Sequence, residues 1–191
     1  MLSSVRHTVG YLVSWLWIAT AVVWVVLAFG NKRTVARRGL TGFIPVVAVA
    51  VILLTPTSLR RSGLHHQLWA SSPLLCLLAL LLVASGSAFA IGARLTLGRN
   101  WSSTVTLKQD HELIRRGPYA LVRHPIYTGL LSMSAGTLVL TGLVEAVGVV
   151  AVGIVYVVFK VRDEERLMSE TFPTQYPEYR RTVKSIIPFI L

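Results

Sequence analysis

The sequence has few acids, one cysteine and a low proportion of charged residues, and these shortages narrow the class of protein. Of its 191 residues, eight are Asp or Glu, and Cys76 is the single cysteine. One cysteine cannot form an internal disulfide, and within its apolar run Cys76 is expected to be a small buried hydrophobe. Charged residues make up 14% of the chain and hydrophobic residues 53%. This balance is typical of membrane proteins.

The sequence also lacks the patterns of nucleic-acid and metal binding. The net charge is +11, but the basic residues are spread between apolar runs and form no stripe interleaved with aromatics. The adjacent pair His65-His66 has no acid or cysteine nearby, and a zinc site needs three or four ligands. We therefore predict no nucleic-acid partner and no metal. The positive charge instead suits orientation in a membrane and contact with the anionic headgroups of membrane lipids.

Long apolar runs dominate what is present. A helix needs about 20 apolar residues to cross the hydrocarbon core, and residues 11–29 and 68–91 meet that length. Residues 42–54 form a shorter candidate that contains Pro45. The apolar stretch 126–159 is too long for one crossing, so we predict a tight helical hairpin turning near residues 141–145. The predicted fold is therefore all-α, an integral membrane protein with about five transmembrane helices. Residues 105–107 are a short strand or an extended segment.

The distribution of basic residues orients these five spans. Loops and tail on one side carry 16 of the 19 Lys and Arg residues, whereas the other side carries Arg6, Arg60 and Arg61. Positive residues favour the cytoplasm, so we predict a multi-pass protein with its N-terminus outside and its C-terminus cytoplasmic. The first apolar run resembles a signal peptide, but its core is longer than a usual signal core. We therefore expect a retained helix.

The motif GPYALVRHPIYTG, residues 117–129, places ionisable and aromatic groups beside an apolar run. Such groups are costly at membrane depth and by default indicate a functional site. Pro125 disfavours helical geometry for His124 and suits the first position of a helix. Arg123 and His124 then lie at a helix N-terminus, whose free N–H groups favour an anion. The plainer alternative is that Arg123 reaches the lipid headgroups and His124 caps the helix.

A polar tail follows the last apolar run, begins near Asp163 and contains EERLM, residues 164–168. Five of the eight acids lie in this tail. Adjacent residues on a helix point about 100° apart, so we expect only one of Glu164 and Glu165 to aim squarely inward. The plainer alternative is a solvated helix in which Asp163 pairs with Arg166 three residues on. Two prolines, at positions 173 and 177, are expected to divide the tail.

Together, the segment LGRNWS at residues 97–102, the thirteen-residue motif and the Glu-Glu pattern resemble a family of membrane methyltransferases. That family includes isoprenylcysteine carboxyl methyltransferase and the phospholipid N-methyltransferases. The resemblance covers residues 97–190, and Met168 stands where the family has leucine. It implies methyl transfer from S-adenosylmethionine to a lipophilic or membrane-associated acceptor. A carboxylate of the isoprenylcysteine type is favoured, and an amine or a thiol stays open.

The resemblance also implies which residues form the site. The cytoplasmic helical tail would close a cofactor pocket against the thirteen-residue motif, with Arg123 and Glu165 as catalytic residues. The cofactor-binding residues would be Tyr119, Arg123, His124, Pro125, Tyr127, Glu164, Glu165, Tyr176 and Tyr179. Residues 1–191 would form one methyltransferase domain. Residues 1–92 would hold three spans, and residues 93–191 the cofactor-binding loop, the hairpin and the tail.

Two other functions are compatible with parts of the sequence. One is a sterol-reductase-like enzyme that uses NADPH, whose relatives share a similar C-terminal region but are much longer chains with more spans. The other is a non-catalytic membrane subunit or small transporter. A transport pathway would need polar groups at mid-bilayer depth, whereas here they cluster at one end of the spans.

Overall fold

The chain folds into helices and one two-stranded sheet. The computed structural model describes residues 2–29, 34–38, 67–98, 101, 105–108 and 113–187. In chain order the elements are α1 (Leu2–Ala28), β1 (Thr34–Arg38), α2 (Pro73–Leu97), β2 (Val105–Lys108), α3 (Pro118–Leu121), α4 (Pro125–Thr141), α5 (Val144–Thr171) and α6 (Gln175–Thr182). The predicted helical architecture is confirmed. The prediction did not include the antiparallel pairing of β1 with β2, although β2 lies where a strand or extended segment was expected.

Three described helices, α1, α2 and α5, are long and apolar enough to cross a membrane. The shorter α4 has 17 residues and is joined to α5 through Gly142 and Leu143. Gly142 has a φ of 63°, and its N–H donates to the Leu138 carbonyl at 2.8 Å. Such a left-handed residue commonly ends a helix. The predicted hairpin and the position of its turn are therefore confirmed. The predicted span at residues 42–54 and the pair His65-His66 lie outside the described residues.

The tightest contact is between α2 and α4, where small residues face each other. A Cβ placed on Gly129 would lie 2.5 Å from the Gly86 carbonyl oxygen, and one on Gly136 would lie 2.8 Å from the Ala79 carbonyl oxygen. Small residues let two helix backbones approach this closely in a membrane. Helix α1 joins α2 through a buried hydrogen bond of 2.7 Å between the Thr20 and Ser87 hydroxyls. These contacts fix where α4 begins.

A buried arginine ties the ends of α1 and α2 together beside that point. Arg94 is 1% exposed and donates to the Gly98 carbonyl at 2.6 Å and the Leu27 carbonyl at 2.7 Å. Its guanidinium carbon also lies 4.6 Å from the centre of the Trp101 ring. A buried cation needs such acceptors, since burial without them costs several kcal/mol. Arg94 therefore anchors the end of the bundle that carries the polar motif.

Candidate active site

The thirteen-residue motif forms a short helix, an extended link and the start of α4. Val122 is extended, with φ of −143° and ψ of 153°. His124 is also non-helical, and Pro125 is the first residue of α4, as predicted. His124 is the N-cap residue of α4, as the plainer alternative has it, but its side chain makes no capping hydrogen bond to the helix. The first N–H groups of a helix have no partner within the helix; at the start of α4, Pro125 has no N–H and the Thr128 N–H donates to the His124 carbonyl at 3.1 Å.

Glu165 is the centre of that cluster. Its Oε1 accepts from Arg123, at 3.0 Å from Nε and 2.6 Å from Nη2, and lies 3.2 Å from His124 Nε2. The Ser185 hydroxyl is 3.4 Å from the same oxygen, and Arg180 Nε is 3.5 Å from Oε2. The Glu165 side chain is 12% exposed and that of Arg123 8%. Helix α5, the motif and the tail thus meet at one carboxylate.

Glu164 contacts the other side of the motif. Its Oε1 accepts from the Tyr127 hydroxyl at 2.5 Å, and its Oε2 lies 3.4 Å from His124 Nδ1. The expectation that only one of the two glutamates would aim inward is therefore wrong. The imidazole lies between the two carboxylates and presents one ring nitrogen to each, so both can reach it. Glu164 is the more open of the two, with 27% of its side chain exposed.

His124 is held between these two acids. It is 8% exposed, and its ring stacks on Tyr127 with centroids 5.9 Å apart. Burial opposes the charged imidazole, but hydrogen bonds and charge from Glu164 and Glu165 outweigh it and raise the pKa of His124 above 6.5. Opposite charges at this distance favour the protonated form. The two carboxylates therefore favour the protonated imidazole, which donates at both nitrogens.

Two tyrosines of α6 pack the tail against the motif. Tyr176 and Tyr179 are 2% and 4% exposed, and their rings meet edge to face at 6.1 Å. The Tyr179 hydroxyl donates to the Tyr119 carbonyl at 2.5 Å, and burial raises the pKa of Tyr179 to about 12. Of the two tail prolines, Pro173 separates α5 from α6, whereas Pro177 lies inside α6. The tail therefore closes over the motif.

The residues after α6 run alongside the motif, and we call residues 183–187 the C-terminal strap. The Arg123 N–H donates to the Lys184 carbonyl at 2.8 Å, and the His124 N–H donates to the Ser185 carbonyl at 3.0 Å. The Thr128 hydroxyl donates to the Ile186 carbonyl at 2.7 Å. The strap thus binds the motif largely through main-chain carbonyls, which carry no sequence signature.

The structure brings all the predicted site residues into one region, and it adds others that the sequence did not indicate. These are Tyr156, Lys160, Arg180 and Ser185. Lys160 is 3% exposed. The sequence could have indicated its role, because Lys160 is a charged residue in an apolar run, one helical turn before Glu164, and a charge at such a position by default indicates a functional site. Arg166 pairs with Glu170 at 3.3 Å, in place of the Asp163 partner considered above.

Known proteins of similar sequence include members of the family that the motifs resemble. The sequence model of the isoprenylcysteine carboxyl methyltransferase family matches residues 77–170. Protein-S-isoprenylcysteine O-methyltransferase A of Arabidopsis thaliana is 32% identical over 133 residues, which cover 67% of this chain and 64% of the plant protein. The cobalt-zinc-cadmium resistance protein CzcN of Cupriavidus metallidurans is 30% identical over 160 residues, covering 79% of this chain and 68% of that protein.

A solved structure shares the fold. The eukaryotic intramembrane Ras methyltransferase, isoprenylcysteine carboxyl methyltransferase, superposes with a TM-score of 0.56 at 26% identity. The match covers 77% of this chain and 52% of that protein. With the three apolar helices, this match identifies an integral membrane protein. The chain spans just under two thirds of the length of the plant relative.

Proposed function

Because the chain belongs to the isoprenylcysteine carboxyl methyltransferase family, we propose that it transfers a methyl group from S-adenosylmethionine to a lipophilic acceptor in the membrane. The observation that carries this proposal is the meeting of Glu164 and Glu165 with Arg123-His124 at the start of α4. The acceptor group we propose is a carboxylate, as in the named substrate of the relatives.

The residues of the site fit the amino-acid end of such a cofactor, which carries one ammonium and one carboxylate. The partly exposed carboxylate of Glu164 suits the ammonium. Protonated His124 and the positive end of the α4 helix dipole suit the carboxylate. Tyr119, Pro125, Tyr176 and Tyr179 are buried around this position and would form its walls. When bound, S-adenosylmethionine supplies a methyl group already activated on a sulfonium.

The two glutamates have different proposed roles. Glu165 is surrounded by Arg123, His124, Arg180 and Ser185, so it is already well provided with donors. We assign it to fixing Arg123 and His124 at the centre of the site. Glu164 has the Tyr127 hydroxyl and one His124 nitrogen as neighbours. Because it is also more exposed, Glu164 is the proposed direct partner of the cofactor ammonium.

The raised pKa of His124 favours a carboxylate acceptor. An amine or a thiol must lose a proton before or during methyl transfer and needs a base, whereas a carboxylate is already ionised at neutral pH. Since Glu164 and Glu165 raise the pKa of His124, a smaller share of this imidazole is free to accept a proton from an acceptor. The chain then has to orient the acceptor and exclude water, and both effects lower the barrier for a direct displacement.

A buried lysine supplies the proposed acceptor side of the site. Tyr156, Lys160 and Glu164 are spaced four residues apart on α5 and so share one face of that helix. Lys160 is 3% exposed, and an ammonium beside the site would attract an anionic acceptor and repel a cationic amine. We therefore propose that the acceptor carboxylate binds near Lys160, on the membrane side of Glu164.

We further propose a five-span arrangement with the N-terminus outside and the site cytoplasmic. The end of α2 at Arg94, the start of α4 and the tail all lie at one end of the bundle. Exposed basic residues gather there, and positive residues favour the cytoplasm; they are Arg116, Arg162, Arg166, Arg180, Arg181 and Lys184. The second span would lie within residues 42–54, and residues 1–191 would form one domain.

The proposed cofactor is tested by calorimetric titration of the purified protein in detergent with S-adenosylhomocysteine, with NADPH titrated in parallel. Binding of S-adenosylhomocysteine alone, with a dissociation constant in the micromolar range, is the expected result. Binding of NADPH alone would favour the reductase alternative. A folded sample that binds neither compound would contradict an enzyme that uses either cofactor.

A further inference from the structure

The side chain of Arg123 is directed at the protein itself, and this suggests a role that the motif alone does not indicate. We infer that Arg123 is a positioning residue, which latches the C-terminal strap (residues 183–187) and Glu165 onto the site and does not bind the cofactor carboxylate. The latching role is supported by contacts within the chain. The claim that Arg123 does not bind the cofactor carboxylate rests on the proposed function.

The donors of Arg123 are almost fully used. A guanidinium has five N–H donors, and four hydrogen bonds are made: two to Glu165 Oε1, one to the Arg180 carbonyl at 3.3 Å and one to the Val183 carbonyl. Of the last two acceptors, the Arg180 carbonyl lies in α6 and the Val183 carbonyl lies in the strap. With only 8% of this side chain exposed, a ligand carboxylate would have to displace one of these partners.

The strap depends on this latch along much of its length. Its carbonyls at Lys184 and Ser185 accept from the main chain at Arg123 and His124, and Ile186 accepts from Thr128. The Ser185 hydroxyl also lies 3.4 Å from Glu165. Arg123 therefore contacts the strap through both its main chain and its side chain. It also contacts Glu165, which lies close to the Ser185 hydroxyl of the strap. Loosening the guanidinium should loosen the whole strap.

A second anchor holds the tail elsewhere, so the latch can be tested without undocking α6. Arg115 donates to the Gln175 carbonyl at 2.6 Å, lies 3.6 Å from Glu178 and covers the Tyr179 ring at 5.6 Å. Tyr179 in turn bonds to Tyr119. These contacts hold the beginning and middle of α6, whereas Arg123 holds the chain that leaves it.

The latch is tested by amide hydrogen exchange on the full-length protein in detergent. Arg123→Lys keeps the charge but cannot reach both carbonyls and Glu165 together. The His124 amide and its neighbours in the peptide covering residues 120–126 should exchange roughly three- to tenfold faster, the scale of one lost hydrogen bond. Amides of α2 should not change. The matched control is Arg116→Lys, at an exposed position, which should leave all of these rates unaltered.

A second variant loosens the strap from its far end and leaves the arginine intact. Thr128→Val preserves shape but removes the hydroxyl that donates to Ile186, and it should also speed exchange at residues 120–126. Unchanged exchange there in both variants would overturn the latch. If Arg123→Lys fails to fold, the Thr128→Val rates decide the same question.

The claim about the cofactor is tested with two ligands, S-adenosylhomocysteine and the same molecule without its carboxylate. A positioning role predicts that Arg123→Lys weakens both ligands by a similar factor, so that the ratio of their dissociation constants stays at its wild-type value. A ratio that falls towards one in the variant would show that Arg123 binds the carboxylate and would overturn this part. If the wild-type protein binds neither ligand, the proposed function fails, and the exchange rates alone decide the latch.

Discussion

Replacing Glu165 and Glu164 separately with glutamine should have two different effects, because the two acids have different surroundings. Glu165→Gln removes the charge at the meeting point of Arg123, His124 and Arg180 and places an amide where donors already converge. Removing one partner of a buried ion pair costs about 3–5 kcal/mol. With 12% of the Glu165 side chain exposed, we expect the lower end, about 3 kcal/mol of unfolding free energy.

Glu164→Gln should behave differently. Glu164 is 27% exposed, accepts from Tyr127 and lies near one His124 nitrogen, and an amide oxygen can still accept from that hydroxyl. We expect a loss of stability of about 1 kcal/mol or less, the scale of one ordinary hydrogen bond. The loss should instead appear in cofactor affinity, by about tenfold or more, because a charge-assisted contact of roughly 1.5–3 kcal/mol is removed.

The assay is a pair of measurements on each variant in the same detergent. Denaturant unfolding followed by tryptophan fluorescence gives the free energy of unfolding, and calorimetry gives the affinity for S-adenosylhomocysteine. The separation of roles predicts that Glu165→Gln loses mainly stability and Glu164→Gln mainly affinity. The reverse pattern, or equal losses of both quantities in both variants, would refute the assignment.

Three further predictions concern other parts of the molecule. Because the pKa of His124 is raised in the folded protein, its ionised form stabilises the fold below pH ~6.5, and this contribution is lost as pH rises through the folded pKa. The free energy of unfolding, measured from pH 5.5 to 9, should therefore fall in the wild type and stay flatter in His124→Gln. Gly129→Ala would put a Cβ 2.5 Å from the Gly86 carbonyl oxygen and should lower the free energy of unfolding by at least about 1–3 kcal/mol in the same assay. The control Gly148→Ala, where the added Cβ would meet open space, should leave the free energy of unfolding unchanged. Lys160→Met should raise KM for an anionic acceptor and leave the affinity for S-adenosylhomocysteine unchanged; equal KM values for variant and wild type would remove Lys160 from the acceptor site.

Local features of the chain were predictable from the sequence. Pro125 begins α4 and Gly142 ends it, because the conformational restriction of proline and the freedom of glycine act within one or two residues. Apolar runs likewise predicted the long helices and the hairpin. The residues implied by the family resemblance also meet in space, since both segments of the pattern lie at the same end of the helices.

Contacts between distant parts of the chain were not predictable. The bonds from Arg123 to Val183 and Arg180, and from Thr128 to Ile186, join residues nearly 60 positions apart through main-chain carbonyls, which every residue has. Both glutamates reach the motif because the His124 ring lies between them, a tertiary arrangement that helical periodicity does not encode. The pairing of β1 with β2 depends in the same way on where the helices place the two segments.

Methyl transfer to a carboxylate can be measured directly with a labelled methyl donor. The purified protein, reconstituted in lipid, is incubated with S-adenosylmethionine carrying a radiolabelled methyl group and with N-acetyl-S-farnesylcysteine as the acceptor. Methyl ester formation should incorporate label that mild base releases as methanol, and no label should be incorporated when the acceptor carboxylate is blocked as an amide. Equal incorporation into the blocked acceptor, or none into either by a folded protein that binds S-adenosylhomocysteine, would contradict methyl transfer to a carboxylate.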